Sequence, residues 1–510
     1  MRFGQSILGA LIIVTLLSTQ PSYAQTTIVV TNCSNDTQLR QAANAPGSSQ
    51  ISFSCGAGPH TIPITGSKIE VQGNVTINGG GAIVLDGNNA TGIFQVFSAA
   101  SLELRNLTVQ RGSTNIPALE NFGVLTLDKV MLLNNQGSGD GGAIVSYKTL
   151  VVRNSSFLNN TTSSSGIFTR AGGAILGVSG TIAVANSSFN GNQVLGTTGT
   201  GGAIALNNAN LQLSDSSFSA NKALDGGAIW VGSSSTAAIT NTMFLNNQAG
   251  YGAAIESSGQ TDIDHSIFAN NSATSGDGGA IWVFSSDVDI AFSTFSANQA
   301  KTTGGAISCY ANTVSVINST LNNNSAGSHG GGIYSSCNLN LTNATLSANS
   351  AVQGGGGVYQ TGSGSAAIAA VTMVANKALF GAGVYNDGSA TSSMTLSATM
   401  LNDNMPDDCG GVITSNGDNL SGDTTCGAFT QTGDKKDQSL PLSALIDNGG
   451  PTRTHMPLAG NPAINALPPA RCGFSNDQRG AARPAGTNCD IGAVEAGALL
   501  PRLYLPLVIR

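Results

Sequence analysis

The clearest pattern in the chain is an apolar beat that returns about every 25–26 residues. Its most regular mark is the last residue of a Gly-Gly-Ala-Ile type motif, at Ile144, Ile175, Ile204, Ile229, Ile255, Ile281, Ile307, Ile333, Val358 and Val384. A second mark keeps the same beat: an apolar residue followed three places later by Asn. It runs from Phe157…Asn160 through Phe189, Phe218, Phe244, Phe268, Phe295, Leu321 and Leu346 to Met373…Asn376. Five residues before each stand Val152, Val184, Leu213, Ile239, Ile263, Ile290, Val316, Leu341 and Ile368, and two further back another apolar residue is usual. Alternation at period two marks a strand with one face buried. Repeats this short cannot bury an apolar face alone, so they stack.

Three short strands and three bends per repeat, stacked in register, predict an all-β chain. The architecture is a right-handed parallel β-helix, a pectin-lyase-like solenoid with about 25–26 residues per coil. The hand follows the rule for parallel crossovers. Proline is nearly absent from Thr126 to Asn404, as strands paired on both sides require. Asn154, Asn186, Asn241, Asn318 and Asn343, three places before the Phe position, are expected to stack as an amide ladder at one bend, interrupted by Asp215, His265 and Phe292. The glycine pair reads as a tight bend. A phosphate cradle would be followed by a helix, and here a strand follows.

The ends depart from the beat. Residues 36–45 read as a short amphipathic helix stopped by Pro46-Gly47, capping the unpaired edge of the first coil. After about Asn404 the repeat is lost and Pro and Cys become frequent. The chain therefore divides into 1–24, a signal peptide; 25–112, N-terminal cap and first irregular coils; 113–405, regular coils; 406–495, a small C-terminal module; and 496–510, a tail.

The compartment follows from the first segment. Arg2, the apolar run Ile7–Leu17 and the small-x-small site Ser22-Tyr23-Ala24 form a secretory signal, too short to span a bilayer, so export and a mature chain starting at Gln25 are expected. No later segment is apolar enough for a transmembrane helix, so no integral membrane segment is expected after signal removal. Only 9 % of residues are charged, and Lys+Arg total 20, which leaves no basic stripe for nucleic acid. Eight cysteines fall into near neighbours, Cys33/Cys55, Cys309/Cys337, Cys409/Cys426 and Cys472/Cys489, which suggests four short-range disulfides in an exported protein.

The paired Phe-x-x-Asn and Gly-Gly-Ala-Ile motifs resemble the repeats of polymorphic outer-membrane-protein-type β-helix passengers. The strings Asp447-Asn448-Gly449-Gly450-Pro451, Asn461-Pro462-Ala463, Asp477-Gln478-Arg479-Gly480, Arg483-Pro484 and Cys489-Asp490-Ile491-Gly492-Ala493-Val494-Glu495 resemble the choice-of-anchor Q domain, which closes bacterial surface β-helix proteins. The resemblance implies a secreted, extracellular or cell-surface protein. A self-translocating membrane barrel is not expected, because only residues 496–510 follow Glu495.

Two groups of residues are candidates for chemistry. Asp262 and Asp289 are expected to stack in neighbouring coils about 5 Å apart, with Asp264, His265 and Asp287 close by. Stacked carboxylates repel unless they share a proton or a cation, so this group could hold Ca²⁺ or act as a carboxylate pair on a glycan; solvated acids are the plain alternative. No other cofactor is expected. The residue after each motif Ile or Val should point outward, which places Trp230, Glu256 and Trp282, then Tyr334, Tyr359 and Tyr385, in one row. That row could bind sugar rings or a partner protein, or the rings could simply stack on each other and a covering loop. The leading expectation is a non-enzymatic, adhesin-like or structural surface protein that presents a solenoid face to polysaccharide, cell-surface glycan or other cells. The alternative is a polysaccharide-active enzyme, lyase or glycoside hydrolase, at Asp262–Asp289. The flanks Asp225 and Asp277 of the two Asp-Gly-Gly-Ala-Ile-Trp copies mark where specific function belongs.

Overall fold

A computed structural model of the chain describes residues 26–500 apart from 46, 114–116, 139–140, 164–170, 197 and 390. The expected signal peptide and tail residues 501–510 lie outside the described residues. One helix, Thr37–Ala43, buries Leu39, Ala42 and Ala43 against the first coil, as the cap requires. Asp36, just before it, accepts hydrogen bonds from the Thr65 backbone N–H (3.0 Å) and Arg40 Nε (2.8 Å), tying the cap to the chain beyond the first coil.

The rest is a parallel solenoid. One coil shows the plan: a motif strand Ile255–Ser257, a long strand Gln260–Asp264, a Phe strand Ile267–Ala269 and a two-residue strand Ser272–Ala273. There are four strand segments rather than three, because one left-handed residue, His265 (φ 47°), divides the long strand from the Phe strand. Motif strands from Ile69–Val71 to Cys409–Gly411 form a 14-stranded sheet among the described residues. Coil-to-coil register is kept along the motif strands, as in Ile229↔Ile255↔Ile281↔Ile307. The first coils, expected to be irregular, pair in the same parallel sense, with Gln50↔Thr76↔Glu103↔Thr126 in line, but they carry a register shift between Asn78 and Ile83. They lack the motifs but not the fold.

The core is a set of columns. Phe157, Phe189, Phe218, Phe244, Phe268 and Phe295 are fully buried and stack with centroid separations of 4.5–5.2 Å. Leu321 and Leu346 continue the column. Because the column already accepts Leu one coil away, Phe295→Leu is expected to cost only about 1–1.5 kcal/mol, lost stacking plus a small void. Urea denaturation checks it.

The expected amide ladder is corrected. Asn154, Asn186, Asn241, Asn318 and Asn343 sit at the left-handed bend, with φ between 46° and 51°. Their side chains do not form a continuous chain: Asn154 and Asn241 donate to Asp128 and Asp215, and Asn343 to the Asn476 carbonyl. The ladder is built instead by the Asn of the Phe-x-x-Asn motif. From Asn135 to Asn376 each Nδ2 donates to the Oδ1 of the Asn one coil on, at 2.8–3.0 Å, and the column ends at Asn404. A hydroxyl column runs beside the bend, in which Ser187, Ser216, Ser266 and Ser293 each accept the backbone N–H of the preceding coil.

Pairing continues beyond residue 405 to Ser421, and a parallel bridge Leu420↔Lys435 adds one more partial coil. Thereafter the chain turns back along the solenoid and lies on the outer face of the last Phe strands. Thr345 donates to Gln478 (2.6 Å), His455 meets Ser347 (2.9 Å), and the Ala493 N–H donates to Thr372 (2.9 Å). The Asp477-Gln478-Arg479 and Cys489–Glu495 strings form its buried ionic network, with Arg479–Asp477 at 2.7 Å and Arg483–Glu495 at 3.5 Å. The four expected cysteine pairs are disulfides, Cys33–Cys55, Cys309–Cys337, Cys409–Cys426 and Cys472–Cys489.

Candidate functional site

In each motif strand the Ile or Val is buried and the next residue faces outward. The outward column is in register across coils: Trp230↔Glu256↔Trp282↔Ser308↔Tyr334↔Tyr359↔Tyr385. The bend before each strand curls against this column, because its first glycine has positive φ. A Cβ on Gly226 (φ 61°) would lie 2.2 Å from the Ile229 carbonyl, so only glycine closes the bend so tightly. The residue before that glycine forms a flanking column: Asp225, Tyr251, Asp277, Thr303, His329, Gly354 and Phe380. It is held by backbone bonds such as Gly226 N–H to Tyr251 O and Gly252 N–H to Asp277 O. Three residues after each motif Ile a second flank begins, carrying Ser258, Phe284 and Tyr310. The face is three columns wide.

Its two halves differ. Tyr334, Tyr359 and Tyr385 stack nearly parallel, at 5.7 Å and 5.3 Å, with His329 and Phe380 packed against them from the bend. Their faces are spent on one another. Trp282 is different: it meets Tyr251 (4.8 Å, 35°), Phe284 (5.3 Å, 48°) and Tyr310 (6.3 Å, 78°), and stacks flat on none of them. Phe284 is 52 % exposed. Trp230 is half-buried and belongs to an apolar cluster with Val145, Leu176 and Ala205 on the N-terminal side.

Acids are set into this half. Asp277 accepts from the Tyr310 hydroxyl (2.6 Å), from the Thr303 hydroxyl (2.8 Å) and backbone N–H (3.0 Å), and from Thr302. Burial and that bond to Asp277 raise the Tyr310 phenol above its ordinary range. Glu256 is 4 % exposed, with Trp230 and Trp282 as its partners in the adjoining strands. Its Oε1 accepts from Ser258 Oγ at 3.0 Å, while its Oε2 is buried without a partner, as is the Trp282 indole N–H. Burial, then the Asp225 charge, push the Glu256 carboxyl up to about 8, against the Ser258 bond. Burial pushes Asp225 up to about 6.

The second predicted group lies on the neighbouring face, past the bend at Ser258-Gly259. Asp262 and Asp289 are direct register partners, as expected, and both are exposed. Partial desolvation and the Asp289 charge raise Asp262. Asp264 pairs with His265 at 2.8 Å, His265 stacks on Phe292 at 4.9 Å, and Asp287 accepts the Thr313 N–H at 3.0 Å. Among the described residues no three His, Cys, Asp or Glu side chains gather as a metal site. Tyr251, Phe284 and Tyr310 were not singled out from the sequence, yet they keep fixed offsets from the motif Ile, and counting those offsets finds them.

Fold and ladder define the class, a right-handed parallel β-helix. The family model described as "Right handed beta helix region" matches residues 201–377, the span that carries the acid–aromatic cluster. The "Probable autotransporter YfaL" of Escherichia coli (strain K12) is 40 % identical over 87 residues, 16 % of this chain and 7 % of that protein. The chain therefore spans only a small part of that relative. Among solved structures, a complex of the alginate lyase AlyF-OU02 with G6 matches with a TM-score of 0.44 at 10 % identity, over 94 % of this chain and 97 % of that one. Tailspike protein 3 of bacteriophage CBA120 matches with a TM-score of 0.33 at 12 % identity, over 71 % and 56 %. No helix among the described residues is long and apolar enough to cross a membrane.

Proposed function

We propose that the chain is an exported surface or extracellular β-helix protein that binds polysaccharide at the cluster of Tyr251, Trp282, Phe284 and Tyr310. The observation that carries this reading is Trp282, tilted against three neighbouring rings beside the exposed Phe284, with acids on both sides. Tilted, partly exposed rings offer apolar faces for sugar C–H groups, and Asp277 offers acceptors for hydroxyls. An exposed aromatic patch on an otherwise polar surface marks a contact site. The disulfides, the signal-like start and the local likeness to an autotransporter support an extracellular or surface location. The Tyr334–Tyr385 stack is assigned a scaffold role, the second of the two readings of that row. Asp262–Asp289 remains a proposal for Ca²⁺, which calcium addition to that pair would test.

A panel of neutral and uronate polysaccharides tests the contact. The double variant Trp282→Ala, Phe284→Ala is expected to lower affinity tenfold or more, about 1.4 kcal/mol. The triple variant Tyr334→Ala, Tyr359→Ala, Tyr385→Ala should change affinity less than threefold if its fold is retained. Undiminished binding by the double variant would overturn the assignment.

A further inference from the structure

We propose that the cluster at Trp282 selects polysaccharides with free amino groups, polymers of unacetylated amino sugars, over neutral and uronate chains, an inference that rests on the binding reading above. Charge is spread unevenly along the chain. Residues 223–300 contain seven Asp or Glu and neither Lys nor Arg, while residues 302–376 contain none of the four. Tyr251, Trp282 and Phe284 fall inside the acidic stretch, and Tyr310 lies just beyond it. Stacked in register, the stretch becomes an acidic band three motif strands deep, at Ile229, Ile255 and Ile281. Among the described residues none of its acids is paired with Lys or Arg; the one ion pair is Asp264 with His265.

Two of these acids border the rings. Asp277 Oδ2 lies 2.6 Å from the Tyr310 hydroxyl, and the Tyr310 ring sits 6.3 Å from that of Trp282. Asp287 is exposed and follows Phe284 by three residues on the same flank, its Oδ1 accepting the Thr313 N–H at 3.0 Å. The rings beside them are open as they stand, Phe284 at 52 % exposure and Tyr310 at 36 %. No side chain has to move for a ligand to reach them. Glu256, buried between Trp230 and Trp282 and pushed up to about 8, keeps its proton near neutral pH and adds no charge.

An ammonium group is drawn both to the face of an aromatic ring and to a single carboxylate, and this surface offers both. A divalent metal needs several oxygens gathered at one point, and no such group occurs among the described residues. A uronate would set its charge against Asp277 and Asp287 with no cation to pair it. A neutral sugar would use the rings and leave the acids idle. An amino sugar uses both, its C–H face on the rings and its ammonium on the acids. Coils rise by about 4.7–4.9 Å, close to one pyranose unit of an extended chain. A polymer laid along the axis therefore presents successive amines to successive coils.

One amino-sugar polymer is divided, half of it is N-acetylated, and both halves are titrated against the full chain at low salt, beside a uronate polymer and polylysine. The amine form is expected to bind at least tenfold more tightly than the acetylated form, with the gap narrowing as salt rises. The double variant Asp277→Asn, Asp287→Asn should close the gap to less than threefold, while affinity for the acetylated form stays within threefold of wild type. Asp287→Asn alone, at an exposed position, should narrow the gap with an unchanged circular dichroism spectrum. Asp262→Asn, Asp289→Asn, on the neighbouring face, should leave it as it is. Equal binding of the two forms, a preference for uronate or polylysine, or a gap that survives Asp277→Asn, Asp287→Asn each overturns the amine selectivity and leaves the contact site standing. Absence of binding to every polysaccharide removes both readings.

Discussion

Asn271→Ala is expected to destabilise the solenoid by about 4–6 kcal/mol, one of the two largest effects anticipated for a single residue. Asn271 is fully buried. Its Oδ1 accepts from the Asn247 backbone N–H and Nδ2, both at 3.0 Å, and its Nδ2 donates to Asn298 Oδ1 and to the Phe244 carbonyl, both at 2.9 Å. Truncation therefore strands two donors on Asn247 and the Phe244 carbonyl inside the coil, and each stranded group costs about 1–3 kcal/mol. Water cannot satisfy them unless the coil opens. Asn271→Asp should be no better, since it keeps the acceptor but loses both donors and sets a charge against Asn298 Oδ1. Urea unfolding reads the total. Because stacked repeats can unfold in parts, amide exchange at Asn247 and Asn298 should quicken before that of distant coils. A loss below about 1 kcal/mol would show that the ladder merely accompanies the fold.

The same residue shows where the sequence was legible. Period and register could be counted directly, and Asp262↔Asp289 and the Trp230–Tyr385 row fell where counting put them. Side-chain direction at the bends could not be counted, because one left-handed residue rotates everything after it. Two Asn series share the beat, and the buried series, not the one at the left-handed bend, forms the ladder. A usable signal was present: the Phe-x-x-Asn series runs unbroken from Asn160 to Asn376, while the bend series admits Asp215, His265 and Phe292. A buried amide chain cannot lose a member, whereas an outward left-handed position tolerates several side chains.

Glu256 was visible as a member of the outward row but not as a buried acid. Its environment comes from Asp225 in the preceding bend, Ser258 beyond its own strand, and Trp230 and Trp282 in the adjoining strands. Alternation says that a residue points away from the core. It does not say that neighbouring bends will rise and cover it, and here they do.

That cover yields the second large effect, a loss of stability as the solution turns alkaline. The Glu256 carboxyl is raised from its ordinary 4.5 to about 8 in the fold. The folded state thus binds a proton that the unfolded chain has released, and stability falls as pH rises from the ordinary value through about 8. The contribution is complete at about pH 4 and absent by about pH 9, on the order of 4 kcal/mol in all. Asp225, raised to about 6, adds a smaller loss of the same sign at lower pH. The groups facing Glu256 are Asp225 from the preceding bend, Ser258 beyond its own strand, and Trp230 and Trp282 in the adjoining strands, with Asp277 and Tyr310 farther along the face. No Lys or Arg ion pair to Glu256 occurs among the described residues. Glu256→Gln keeps the acceptor for Ser258 and cannot ionise. Its melting temperature should match that of wild type at about pH 5 and exceed it by several degrees at about pH 9. Parallel curves for the two proteins across that range would mean that Glu256 ionises in the fold as it does in water, and the buried-acid reading would fall with them.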